Sequence, residues 1–121
     1  MILHGYWRSS TSYRVRIALN LKACAYETRP VNLLTGEHRA PAFLALNPAG
    51  AVPALEWPDA SGGQRILTQS MAILDALDEA YPDPPFLPAH PSARLLAREL
   101  AFAIATETHA PANMRALAWL R

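Results

Sequence analysis

A single cysteine, Cys24, in 121 residues excludes an intrachain disulfide and any Cys-x-x-Cys redox pair. It sits just past the first expected helix and reads as a small packing residue rather than a nucleophile. Net charge is only +1, so there is no bulk electrostatic case for binding nucleic acid or a membrane. No apolar run approaches the roughly eighteen residues of a membrane-spanning helix. The N-terminus lacks the basic stretch and apolar core of a signal peptide, which makes the cytoplasm the expected location. Four scattered histidines and one cysteine give no metal-ligand spacing, and the five glycines form no nucleotide-binding loop. What is present is an ordinary globular composition, 51% apolar, in a chain long enough for a domain with a real core.

The most informative stretch follows the short apolar run 2–6, which reads as a strand. It runs Trp7-Arg8-Ser9-Ser10-Thr11-Ser12-Tyr13-Arg14-Val15-Arg16-Ile17-Ala18-Leu19. Four hydroxyl residues therefore lie between a strand and a helix expected over residues 12–21. Backbone N–H groups left unpaired at such a helix start, with the positive end of its dipole, favour an anion. A serine or threonine here can equally be an N-cap. With four of them, one can cap while another points outward. The helix is apolar on more than one face, as a well-buried helix is. Arg14 and Arg16 point to different sides of it, toward a sheet edge, an interface or a salt bridge.

A second strand is expected over residues 26–33, with Pro30 placing it at an edge. Strand, helix and strand within about thirty residues make a βαβ unit. Residues 34–39 read as a loop around Gly36, and residues 40–46 as one or two irregular helical turns with Pro41 in the first. Asn47-Pro48-Ala49-Gly50-Ala51-Val52-Pro53 turns into a strand over residues 54–57. A glycine-rich loop, residues 59–63, makes a hairpin with a strand over residues 65–68. Gln69-Ser70 then opens a helix with one apolar stripe, Ile73, Leu74, Leu77, Ala80 and Tyr81, and Ser70 as its N-cap candidate. Residues 82–91 hold five prolines and read as a linker. A long helix rich in Ala and Leu is expected over residues 92–108, kinked or ended by Pro111, with further helix over residues 114–121.

The run from Arg8 to Leu19 resembles the signature of zeta-class glutathione transferases, the maleylacetoacetate isomerase family, usually Ser-Ser-Cys-Ser-x-Arg-Val-Arg. Thr11 stands where that family commonly has cysteine. The stretch Asn47 to Leu55 is similar to the family's Asn-Pro-x-x-x-Val-Pro-x-Leu pattern, and Gln69-Ser70 to its Gln-Ser step before the third helix. The resemblance covers nearly the whole chain, and the chain a little over half of such a protein. It implies an α/β thioredoxin-like N-terminal domain (residues 1–81), a Pro-rich linker (82–91) and the start of an all-α C-terminal domain (92–121), a truncated glutathione transferase architecture.

It also implies glutathione as cofactor. The cysteinyl backbone would pair at Val52 before a cis Pro53, and the γ-glutamyl carboxylate would sit at Gln69 and Ser70. The sulfur would lie near Ser9, the candidate catalytic hydroxyl, with Ser10 in support. His109 and Asn113 stand near the family's His-Pro-x-x-Asn, where the histidine reaches glutathione or the acceptor; here the proline has moved one place. Either can also be a plain surface residue, and so can Arg8, which otherwise suits a dicarboxylate substrate. Thr11 keeps a hydroxyl near the substrate and removes any protein-thiol exchange. The implied reaction is cis–trans isomerisation of a small unsaturated keto acid, maleylacetoacetate or maleylpyruvate, through a glutathione thiolate adduct, by a homodimer. The alternatives are a general glutathione transferase or dehalogenase, or a non-catalytic glutathione-binding or dimerisation fragment.

Overall fold

The computed structural model describes residues 1–59 and 62–111. The chain divides into two compact units, with the break between Tyr81 and Pro82. In the first unit the order is β1 (Ile2–Gly5), α1 (Ser10–Leu21), β2 (Glu27–Pro30), a 3-10 turn (Glu37–Arg39), α2 (Pro41–Leu46), β3 (Ala54–Pro58), β4 (Gln64–Thr68) and α3 (Ser70–Ala80). The four strands form one sheet in the order β2-β1-β3-β4. β1 runs parallel to β2 and antiparallel to β3, and β3 and β4 are an antiparallel hairpin. This is the thioredoxin-like mixed sheet that the order of sequence elements predicts.

Strand alternation divides the core between the two faces of the sheet. Leu3 pairs with Leu55, and both are fully buried. Val15 and Leu19 of α1 and Ile73 and Leu77 of α3 are buried as completely, and the two helices pack on one another. The opposite side holds a smaller cluster of Val31, Phe43 and Ala54, with Leu46, Val52 and Ile66 packed against it. His4 also faces this side, edge-on to Phe43, with its Nε2 2.6 Å from Glu56 Oε1. Arg29 Nη1 lies 3.5 Å from the same carboxylate, so the buried Glu56 is shared by two neighbouring strands.

Two features fix α1. Its last turn closes with Cys24 N–H donating to Leu19 O and Ala23 N–H to Asn20 O, the paired bonds of a Schellman cap. Ala23 occupies the left-handed position there, at φ 51°. At the other end, Ser12 packs so near β1 that a Cβ on Gly5 would lie 3.2 Å from Ser12 Cβ and Oγ. Glycine thus lets the helix start approach the strand end. Lys22, buried just past α1, donates from Nζ to Asp78 Oδ1 of α3 at 2.6 Å.

Several expected boundaries move. β2 stops at Pro30; Val31 still donates its N–H to Gly5 O of β1, and its side chain joins the Phe43 cluster. α1 begins at Ser10 rather than at residue 12, capped by Ser9. The N-cap of α3 is Gln69 rather than Ser70, which is the first helical residue.

In the second unit, α4 (Pro91–Phe102) has Pro91 in its first turn and continues as a π-helical segment, Ala103–Thr108. The helix expected to run regularly to residue 108 therefore changes its hydrogen-bond spacing at Ala103, well before Pro111. Asn113 and the helix expected over residues 114–121 lie outside the described residues. Among the described residues, no helix is long and apolar enough to cross a membrane.

Candidate functional site

The hydroxyl-rich turn is an ordered hydrogen-bond chain. Ser9 has extended backbone angles, and its Oγ accepts from Ser12 N–H at 3.2 Å, the bond of an N-cap. Ser9 Oγ is also 2.8 Å from Thr11 Oγ1, and Thr11 Oγ1 donates to Val52 O at 3.0 Å. Each hydroxyl has one proton. Thr11 gives its proton to Val52, so the proton between the two hydroxyls belongs to Ser9. Capping and anchoring thus converge on Ser9, and Thr11 ties the start of α1 to the residue before Pro53. Ser10 is exposed beside them at the first position of α1. The Val52–Pro53 peptide bond is cis, and Pro53 is buried.

The start of α3 adjoins α1 through a second long-range bond. Arg14 Nη1 donates to Ser70 Oγ at 2.7 Å. Ser70 is buried, whereas Gln69 is exposed and holds φ 69° and ψ 107°. Positive φ is uncommon for a residue with a side chain and marks a backbone held in place by its surroundings. The N-cap residue Gln69 makes no side-chain capping bond to the N–H groups of the first turn of α3. Burial pushes the Arg14 guanidinium below its usual pKa, and arginine stays charged nonetheless.

On the other flank of the turn an open cleft of about 480 Å³ is lined by Gly5, Tyr6, Trp7, Arg8, Arg16 and Leu34, among others. Arg8 lies over the ring of the exposed Trp7, 5.6 Å from its centre. Arg16 donates from Nη2 to Trp7 O at 3.1 Å and so steadies the loop that carries Arg8. His109 belongs to the second unit, where its N–H donates to Ile104 O. Burial raises the pKa of the Cys24 thiol, with Lys22 and the N-terminus opposing; a raised pKa suits a packing residue rather than a nucleophile. No group of three or more metal-ligating side chains occurs among the described residues.

Residues 8–80 match the family model described as the N-terminal domain of glutathione S-transferase. The chain belongs to the glutathione S-transferase N-terminal domain family. Within that family it is 49% identical to maleylacetoacetate isomerase of Rhizobium meliloti, over 97% of this chain and 53% of that protein. It is 46% identical to maleylpyruvate isomerase of a Ralstonia species, over 100% of this chain and 55% of that one. Among solved structures, the holo form of a zeta-class bacterial maleylpyruvate isomerase superposes with a TM-score of 0.91 at 45% identity, covering 100% of this chain and 55% of its own. Maleylacetoacetate isomerase of Methylobacterium extorquens, solved with malonate and glutathione bound, gives 0.90 at 48%, covering 99% and 54%. The chain spans about half the length of these glutathione S-transferases.

The structure brings Ser9, Thr11 and Val52 together and links Ser70 to the same helix. The parts played by Arg14 and Arg16 escape sequence reasoning. Their spacing shows only that they leave α1 in different directions, and their partners lie in Ser70 and Trp7.

Proposed function

We propose that residues 1–81 bind glutathione and that the protein uses it to isomerise maleylacetoacetate or maleylpyruvate. The observation that carries this reading is the hydrogen-bond chain from Ser9 through Thr11 to Val52 O, which joins an anion-favouring helix start to an extended backbone segment. The first turn of α3 suits the ligand's γ-glutamyl carboxylate: it combines uncapped N–H groups, the Ser70 hydroxyl and a strained Gln69. Relatives solved with glutathione bound support the choice of ligand.

In this arrangement Gln69 and Ser70 take the carboxylate, and Val52, with Pro53 after it, takes the cysteinyl main chain. Glutathione supplies the sulfur nucleophile. Ser9 and Ser10, with the N–H groups of α1, favour negative charge at that sulfur. For Ser9 to donate to sulfur it exchanges its bond to Thr11, whereas the exposed Ser10 is in a position to donate directly. Arg8, on the rim of the cleft, attracts the carboxylates of a small unsaturated keto acid; relatives solved with malonate or with citrate and dicarboxyethyl glutathione support an acidic acceptor. The family motif makes His109 and Asn113 candidates for contacting glutathione or the acceptor, and residues 92–121 the start of a helical domain after the linker 82–91. We assign the whole protein to the cytoplasm as a homodimer.

Calorimetric titration of glutathione into the 121-residue chain tests the reading. Saturable binding is expected, weakened about tenfold or more in Ser70→Ala and Gln69→Ala. Glu79→Ala, exposed at the far end of α3, should bind as the parent does. No binding by the parent overturns the reading. Glutathione-dependent turnover of maleylacetoacetate or maleylpyruvate is expected from a chain that binds, and turnover of a haloacid alone would point instead to a dehalogenase.

A further inference from the structure

The bond from Arg14 to Ser70 joins two residues fifty-six positions apart and lies at the start of α3. A guanidinium has only protons to give, and a hydroxyl has one proton and two lone pairs. Ser70 Oγ is therefore the acceptor of this bond, and its own proton must go to something else. The backbone N–H groups around it at the helix start are donors and cannot take it. A carboxylate arriving there can. Accepting from a cation also polarises the hydroxyl, which makes it a stronger donor. The fixed positive charge behind Ser70 adds to the positive end of the α3 dipole.

We propose that Arg14 is a positioning residue for anion binding at the start of α3. It holds Ser70 Oγ as a proton donor toward the ligand's carboxylate and reinforces the local positive potential without touching the ligand. The proposal rests on the reading that a γ-glutamyl carboxylate docks at Gln69 and Ser70. It adds a residue from α1 to that pocket, and it gives the first Arg of Arg14-Val15-Arg16 a function distinct from that of Arg16.

The test compares glutathione with 4-aminobutyryl-cysteinylglycine, the same tripeptide lacking only the γ-glutamyl α-carboxylate. Arg14→Met should weaken glutathione binding about tenfold or more, the worth of a hydrogen bond to a charged group. It should leave affinity for the analogue within about twofold of the parent's. Equal loss on both ligands would mean that Arg14 only staples α1 to α3, and unchanged glutathione affinity would also overturn the proposal. A double-mutant cycle with Ser70→Ala gives an independent readout: once Ser70 is alanine, Arg14→Met should cost clearly less than in the parent. Full additivity overturns the coupling. Should Arg14→Met fail to fold by circular dichroism, Arg14→Lys carries the same comparison, with a smaller loss confined to glutathione. Failure of the parent to bind glutathione would sink the glutathione reading and this proposal together. Binding that is indifferent to Arg14 would sink only the proposal.

Discussion

Thr11 shows how much one hydroxyl can organise. It accepts from Ser9 and donates to Val52 O, so one side chain closes the gap between the α1 cap and the loop before β3. Thr11→Val keeps the shape and removes both bonds. It should lower stability by about 1 kcal/mol, a typical net value for a hydrogen bond, in urea unfolding, while Thr11→Ser should recover most of the loss. A valine variant as stable as the parent would mean that the chain of hydroxyls contributes nothing to the fold. The hydroxyl cluster was legible in the sequence as a cap or an anion site, and the structure makes Ser9 the cap. The direction of Ser9's proton was not legible, because it depends on Val52, forty-one residues beyond Thr11. The backbone at Gln69 was hidden for a related reason. Serine is the residue type that caps helices, so Ser70 drew the expectation, while tertiary packing holds Gln69 at a φ that no propensity scale favours.

At the scale of elements, α1 is tied to its surroundings along its whole length. Ser9 caps it, Arg14 reaches Ser70, and Lys22 just past its end reaches Asp78, so α1 and α3 are linked at two levels. The Schellman cap is the weak link. Ala23 sits in the left-handed region, which costs a residue with a Cβ about 1–2 kcal/mol. Ala23→Gly should therefore raise stability by about 0.5–1 kcal/mol after the extra freedom of glycine in the unfolded chain is set against it, read as a higher urea midpoint at unchanged slope. A lower midpoint would show that the Ala23 methyl packs usefully. The strand–helix start, the hairpin and α3 could be read from period and turn residues. The end of β2 could not, because Val31 continues the apolar pattern and still donates its N–H to Gly5 O of β1, while the strand itself ends at Pro30. Nor could the change of spacing at Ala103, since Ala, Ile and Thr carry no stop signal.

For the whole molecule, the division at Tyr81 separates two units of very different character. Every described residue that is buried lies in the first unit; α4 and the π-helical segment contain none. The same division explains why half of the proposed site is readable and half is not. The residues assigned to glutathione lie on a packed sheet and its helices. In the second unit, α4 carries Leu95, Leu96 and Leu100 exposed.

The outer strand β2 has a consequence for handling the protein. All four of its residues are exposed, and they read Glu-Thr-Arg-Pro. An unpaired strand edge is a template on which another chain can stack, and fibrils grow by that route. Here Pro30 lacks the N–H that stacking needs, and Glu27 and Arg29 place opposite charges on the rim, 3.2 Å apart. The border of the sheet is thus closed to newcomers by composition rather than by a covering segment, a safeguard that persists in concentrated solution without any partner.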